Sequence, residues 1–213
     1  KPERLLAENS DEVIQQEFEV LLERHLRLEP EQGSVAFVGA GPGDPELLTL
    51  KARRLIHEAE VIIYDRLVGK GVLELARREE KFIKVGKKGF GAHVTQDFIK
   101  EHLVREAQAG LKVVRLKGGD PSVFGRLDEE LAALSEYGIE SSVVPGITSA
   151  SAGAASLKQS LTRRDRNSSI TFMTAHDAKG YAEHDWRQLV RSGQALAIYM
   201  GRKSANFLQG RLL

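Results

Sequence analysis

From Gly33 onward, short apolar runs alternate with stretches in which apolar residues recur every three or four positions. Val35-Ala36-Phe37-Val38, Val61-Ile62-Ile63-Tyr64, Phe82-Ile83-Lys84-Val85, Val113-Val114-Arg115-Leu116 and Ser142-Val143-Val144 read as buried strands. Leu48, Ala52, Leu55, Ile56 and Ala59 fall at helical spacing, and an amphipathic helix is expected near residues 96–109. Strand–helix alternation of this kind predicts a mostly parallel sheet with helices on its faces.

Two flanking regions break the pattern. In the first 32 residues, Asn9 with Glu12 reads as a capping box, and Ile14, Phe18, Leu21, Leu22 and Leu26 form one apolar stripe before Pro30 and Gly33. A helix with that stripe packs on its own domain, on a second subunit or at a junction with another module. After Pro145-Gly146 comes a run of small residues, Ile147 to Ala155, which permits close backbone approach to a helix or a ligand. Ile170-Thr171-Phe172-Met173 and Leu196-Ala197-Ile198-Tyr199-Met200 read as strands of a second unit, with a helix begun near Ser204. Two strands make a poor independent domain, so this unit is expected to be cut short.

Composition narrows the classes. Hydrophobic residues make up 41% of the 213 and charged residues 29%, a globular balance. No apolar run approaches the ~20 residues that span a bilayer. Absence of cysteine excludes disulfide scaffolds, thiolate metal sites and cysteine nucleophiles. His93, His102 and His176 lack metal-ligand spacing with nearby acids, so no metal is expected. The polar N-terminus does not read as a secretory signal, and a cytoplasmic protein is expected. Net charge is +1, but the first 32 residues hold four basic and nine acidic side chains, leaving a mildly cationic remainder. That suits an anionic small molecule. It is not the dense basic stripe of a nucleic-acid binder.

The candidate chemistry sits after strands. Gly39-Ala40-Gly41-Pro42-Gly43-Asp44-Pro45 follows the first strand, with Asp44 suited to an N-cap and Pro45 to the first helical position. A dinucleotide fingerprint counted from Gly39 would need a third glycine at position 44, which is Asp44, a residue that opposes a pyrophosphate there. Lys117-Gly118-Gly119-Asp120-Pro121, Tyr64-Asp65-Arg66-Leu67 and Gly86-Lys87-Lys88-Gly89 lie at the same sheet edge, where open α/β sheets bind ligands. Each alone reads equally as a solvated turn; four together favour a site.

Taken in order, GAGPGDPELLTLKA, YDRLV, VGKKG, VVRLKGGDPSVFGR and VVPGITSASA resemble the tetrapyrrole methylases, most closely the uroporphyrinogen-III C-methyltransferases, over residues 33–213. The segment KPERLLAENSDEVIQQEFEVLLERHLRLE resembles the connector before the methylase module of siroheme synthases. The resemblance implies two α/β domains with a cleft between them, residues 33–145 and 146–213, the second incomplete. A helical connector, residues 1–32, precedes them and also suggests a homodimer.

It implies S-adenosylmethionine as methyl donor, bound by Pro42, Gly118, Gly119, Asp120, Val123, Thr148, Ser149 and Met200. It implies uroporphyrinogen III as substrate, methylated at C2 and C7 to precorrin-2, with carboxylate partners at Arg66, Lys88, Arg126, Arg163 and Arg164. The resemblance also implies Asp65 as proton acceptor and Lys87 as proton donor. Departures fall on the substrate side: Ser160 and Arg163 replace the usual Pro and His, Leu127-Asp128 replaces two glycines, and His93-Val94-Thr95-Gln96 lacks a Pro. They leave open another precorrin or a macromolecule as substrate, or a subunit that binds without turnover.

Overall fold

The computed structural model describes residue 15 and residues 32–86, 95–177, 180–181, 184–189 and 193–212. The expected helix before Pro30, and Lys87, Lys88 and His93, lie outside the described residues.

Five strands, β1 (Ser34–Gly39), β2 (Val61–Tyr64), β3 (Lys81–Lys84), β4 (Lys112–Lys117) and β5 (Glu140–Val144), form one sheet in the order β3-β2-β4-β1-β5. Every pairing in it is parallel. Four helices connect them: α1 (Leu50–Glu58), α2 (Lys70–Leu73), α3 (Gln96–Gln108) and α4 (Leu127–Glu136). Side chains alternate across a strand, so the two faces collect different residues. Val35, Phe37, Ile63 and Val113 pack with Leu103 and Ala107 of α3 and Leu134 of α4. Ala36, Val38, Ile62, Val114 and Leu116 pack with Ala52 and Ile56 of α1 and Val72 of α2. Cover on both faces explains why the strands read as near-continuous apolar runs.

Local signals set the helix starts. Thr49 caps α1, its hydroxyl accepting from the Ala52 amide at 3.1 Å, and Thr95 caps α3 through the Phe98 amide at 3.2 Å. Asp44 and Pro45 do begin a helical turn, but it is the one-turn 3-10 helix Pro45–Leu47, with Asp44 accepting from the Glu46 amide at 2.9 Å.

The small-residue run forms a helix, α5 (Ser149–Ser156). Beyond it lie β6 (Ser169–Thr174), β7 (His176–Asp177), β8 (Gly180–Tyr181), α6 (Trp186–Leu189), β9 (Gln194–Tyr199) and α7 (Ala205–Leu212). β6 and β9 pair in parallel, and β7 and β8 form a two-residue antiparallel ladder that the hydrophobic pattern did not signal. Among the described residues, no helix is long and apolar enough to cross a membrane.

Candidate active site

The loops after β1 and β4 are sewn together by backbone. The Gly41 amide donates to the Gly119 carbonyl at 3.1 Å and the Gly119 amide returns to the Gly41 carbonyl at 2.8 Å. Gly119 takes φ +71, a left-handed conformation open to glycine at no steric cost. The turn after β5 closes on the same point. A Cβ on Gly39 would stand 2.5 Å from the Gly146 amide nitrogen, and one on Gly146 would overlap the Gly119 carbonyl. Close backbone approach therefore occurs at Gly146, whereas a Cβ on Gly153 of α5 would meet nothing within 4 Å. Asp120 completes the seam, one carboxylate oxygen accepting from the Ser122 amide at 2.8 Å and the other from the Gly146 amide at 3.0 Å. Its carboxylate holds two loops together as well as bordering the space beyond them.

That space is a cavity of about 560 Å³ at the C-terminal ends of the strands, within the ~300–1,000 Å³ typical of ligand sites. Pro42, Gly118, Gly119, Asp120 and Val123 line it from the sheet side, and Thr148, Ser149 and Met200 from beyond the Pro145-Gly146 turn. All eight expected cofactor residues thus line one cavity. The Thr148 hydroxyl and the Tyr199 hydroxyl lie 2.6 Å apart, and the Tyr199 ring stands 5.0 Å from that of Phe124. Phe124, Arg126 and Met200 border the cavity with positive φ of 51°, 53° and 57°. Such conformations cost roughly 1–3 kcal/mol each in non-glycine residues and gather at functional sites.

Asp65 also borders the cavity, one oxygen accepting from the Leu67 amide at 2.8 Å in an Asx turn. Arg126 does too, but its guanidinium is forked onto Glu129 at 2.8 and 2.6 Å. Hydrogen bonding from Arg126 holds the Glu129 carboxyl below its ordinary range. Arg66, Arg163 and Arg164 do not line the cavity. Arg163 and Arg164 sit instead on a turn closed by paired backbone bonds between Arg163 and Asn167.

The sequence reading missed the cavity's floor. Glu130 of α4 accepts from Lys117 Nζ at 2.8 Å through one oxygen. Through the other it accepts from Gln96 Nε2 at 3.0 Å and from Arg115 Nε and Nη2 at 3.4 Å. All four side chains border the cavity. Burial, then the neighbouring Arg115 charge, push the Lys117 amine below the usual lysine range, while Glu130 pulls the other way. The signal was present. Arg115 and Lys117 alternate with the apolar Val114 and Leu116 and share the face of Val113, so both point where α3 and α4 pack.

Residues 34–212 match the model of the tetrapyrrole (corrin/porphyrin) methylases. The chain belongs to that family. It is 50% identical over 184 residues to siroheme synthase 2 of Aeromonas hydrophila, covering 86% of this chain and 39% of the relative. It is 45% identical over 209 residues to siroheme synthase of Actinobacillus succinogenes, covering 98% of this chain and 43% of the relative. The chain thus spans about two fifths of the length of these curated relatives. Among solved structures it resembles uroporphyrin-III C-methyl transferase from Thermus thermophilus complexed with S-adenyl homocysteine. That match has a TM-score of 0.70 and 42% identity, over 84% of this chain and 75% of the other. It also resembles cobalt precorrin-4 methyltransferase, with a TM-score of 0.73 and 25% identity over 84% and 73% of the two chains.

Proposed function

We propose that this chain is the methylase module of a siroheme synthase, transferring methyl groups from S-adenosylmethionine to C2 and C7 of uroporphyrinogen III to give precorrin-2. The observation that carries this reading is the cavity wall of Pro42, Gly118–Asp120, Thr148, Ser149 and Met200. It occurs in a chain 42% identical to a methyltransferase solved with S-adenyl homocysteine. Relatives named siroheme synthase support the same substrate. In the proposed division, residues 33–145 and 146–213 form the two halves of the module, and residues 1–32 a connector that also pairs two copies. The protein works in the cytoplasm.

The residues present suit the donor. Leu67 fills the space beside Gly118, but at Gly119 a Cβ would meet nothing nearer than Thr148 Cα at 3.9 Å, which leaves bare backbone for an adenosine. Half-exposed Phe124 and Met200 offer apolar surface, and the carboxylates of Asp65 and Asp120 tolerate a cationic sulfur. When bound, S-adenosylmethionine supplies an electrophilic methyl group. The glycine seam fixes the wall against which the donor lies, so that wall presents one geometry to the incoming pyrrole carbon. Asp65, with one oxygen fixed by its own turn, keeps the other for the proton that the methylated ring sheds. Lys87, by its motif position, returns a proton to the macrocycle, and Lys88 and Arg126 receive its carboxylates; Arg66, Arg163 and Arg164, off the cavity lining, serve only arms that extend beyond it. Arg126 would release Glu129 to do so.

Incubating the protein with labelled S-adenosylmethionine and uroporphyrinogen III, then weighing the product, tests the reading. Gain of two methyl groups is expected. Binding of both molecules with no transfer would favour a non-catalytic subunit, and transfer only to another precorrin would reassign the substrate.

A further inference from the structure

The buried charges under the cavity do not balance. Arg115 and Lys117 bring two cations to one anion, Glu130, and the three side chains are 4%, 5% and 1% exposed. An uncompensated charge out of water is costly. Arg115 uses its donors on Glu130 and on the carbonyls of Leu116 and Ile63. Lys117 differs. An ammonium has three N–H donors; one reaches Glu130, and among the described residues no other protein acceptor lies within hydrogen-bond distance. Asp65 bears on it electrostatically but makes no hydrogen bond to it. The stem is also given room: a Cβ on Gly125 would stand 3.1 Å from Lys117 Cε. A buried ammonium bordering a cavity, with donors to spare and a second buried cation, Arg115, beside it, is built to meet an anion there.

We propose that Lys117 is a ligand-binding residue whose ammonium takes a carboxylate oxygen of a molecule held in the cavity. The lowered basicity of its amine agrees with this, since Glu130 alone does not offset the loss of water. Resting on the methyl-transfer reading, the carboxylate comes from one of two sources, the amino-acid end of the donor or an acidic arm of the macrocycle. Charge-assisted bonds of this kind exchange one buried cation's missing hydration for a directed contact.

The test uses Lys117→Met, close in length but uncharged, with Lys117→Gln as a second variant that keeps a donor toward Glu130. Thermal melts establish folding. Calorimetry then measures three probes: S-adenosylhomocysteine, 5′-methylthioadenosine (the same thioether nucleoside without a carboxylate) and uroporphyrin III. If Lys117 holds the donor's carboxylate, the folded variant loses on the order of 10- to 100-fold in S-adenosylhomocysteine affinity and keeps its affinity for 5′-methylthioadenosine. If it holds the macrocycle, a loss of that size falls on uroporphyrin III alone. Either result supports the proposal. Unchanged affinity for all three, or equal losses for both nucleosides, overturns it. An unaltered protein that bound none of the probes would overturn the methylase reading itself, a result separable from the variants.

Discussion

Thr148 and Tyr199 meet hydroxyl to hydroxyl at 2.6 Å, tying the start of α5 to the end of β9 across the rim of the cavity. The Tyr199 ring packs independently of that bond, 5.0 Å from Phe124 and 5.6 Å from Phe172. Tyr199→Phe therefore removes the tie and keeps the packing. It is expected to cost about 1 kcal/mol of stability and to weaken S-adenosylhomocysteine binding several-fold. Urea melts and calorimetry measure the two effects, and a variant that bound as tightly as the parent would detach Tyr199 from the cavity's shape.

Two glycines of the same region should respond in opposite directions. Gly146→Ala drives a methyl group into the Gly119 carbonyl and the Gly39 backbone, so it should destabilise by roughly 1–3 kcal/mol and lower donor affinity. Gly153→Ala meets open space within α5 and should stabilise by up to ~1 kcal/mol through helix propensity. Thermal melts of the pair check this.

The proposed proton acceptor gives a split prediction. Asp65→Asn keeps an oxygen for the Leu67 amide and removes the basic one. Donor affinity should stay within about twofold while methyl transfer slows by ~10²–10⁴. A variant that lost donor binding instead would make Asp65 a cofactor contact.

Acid sensitivity has an identifiable contributor away from the site. Burial of Glu106 opposes its charge, yet hydrogen bonds from Lys81 and Arg105 prevail and hold its carboxyl below the usual glutamate range. A depressed folded value means the stabilisation is present above the unfolded value of about 4.3 and is lost as pH falls through the folded one. Glu106→Gln should remove about 1–2 kcal/mol at neutral pH, both partners being half-exposed. It should also flatten the fall in stability between about pH 5 and 3. Urea melts across that range decide it.

Much of the sheet was legible because burial on both faces leaves an apolar run for each strand, and because glycine and proline mark the bends. All five strands stand within two residues of their expected places. The short β7–β8 ladder escaped because two-residue strands carry no period. The residues that motif order proposes for the cofactor do line one cavity. The floor was missed: the alternation in KVVRLK puts Arg115 and Lys117 on one face, but that α3 and α4 bury that face came only with the packing. Exposure alone does not separate the expected arginines either: Arg126 reaches the cavity while Arg66, Arg163 and Arg164 do not.

By itself the sequence determined which segments form the parallel strands, where they bend and which family they belong to, because these depend on local period, turn residues and motif order. Tertiary structure decided the rest. Only packing of the β1, β4 and β5 ends made Gly39, Gly119 and Gly146 into one seam, turned Asp120 into a clasp, and enclosed two cations with a single carboxylate. Those outcomes depend on distances between residues far apart in the chain, and on the loss of water around them, which no local pattern encodes.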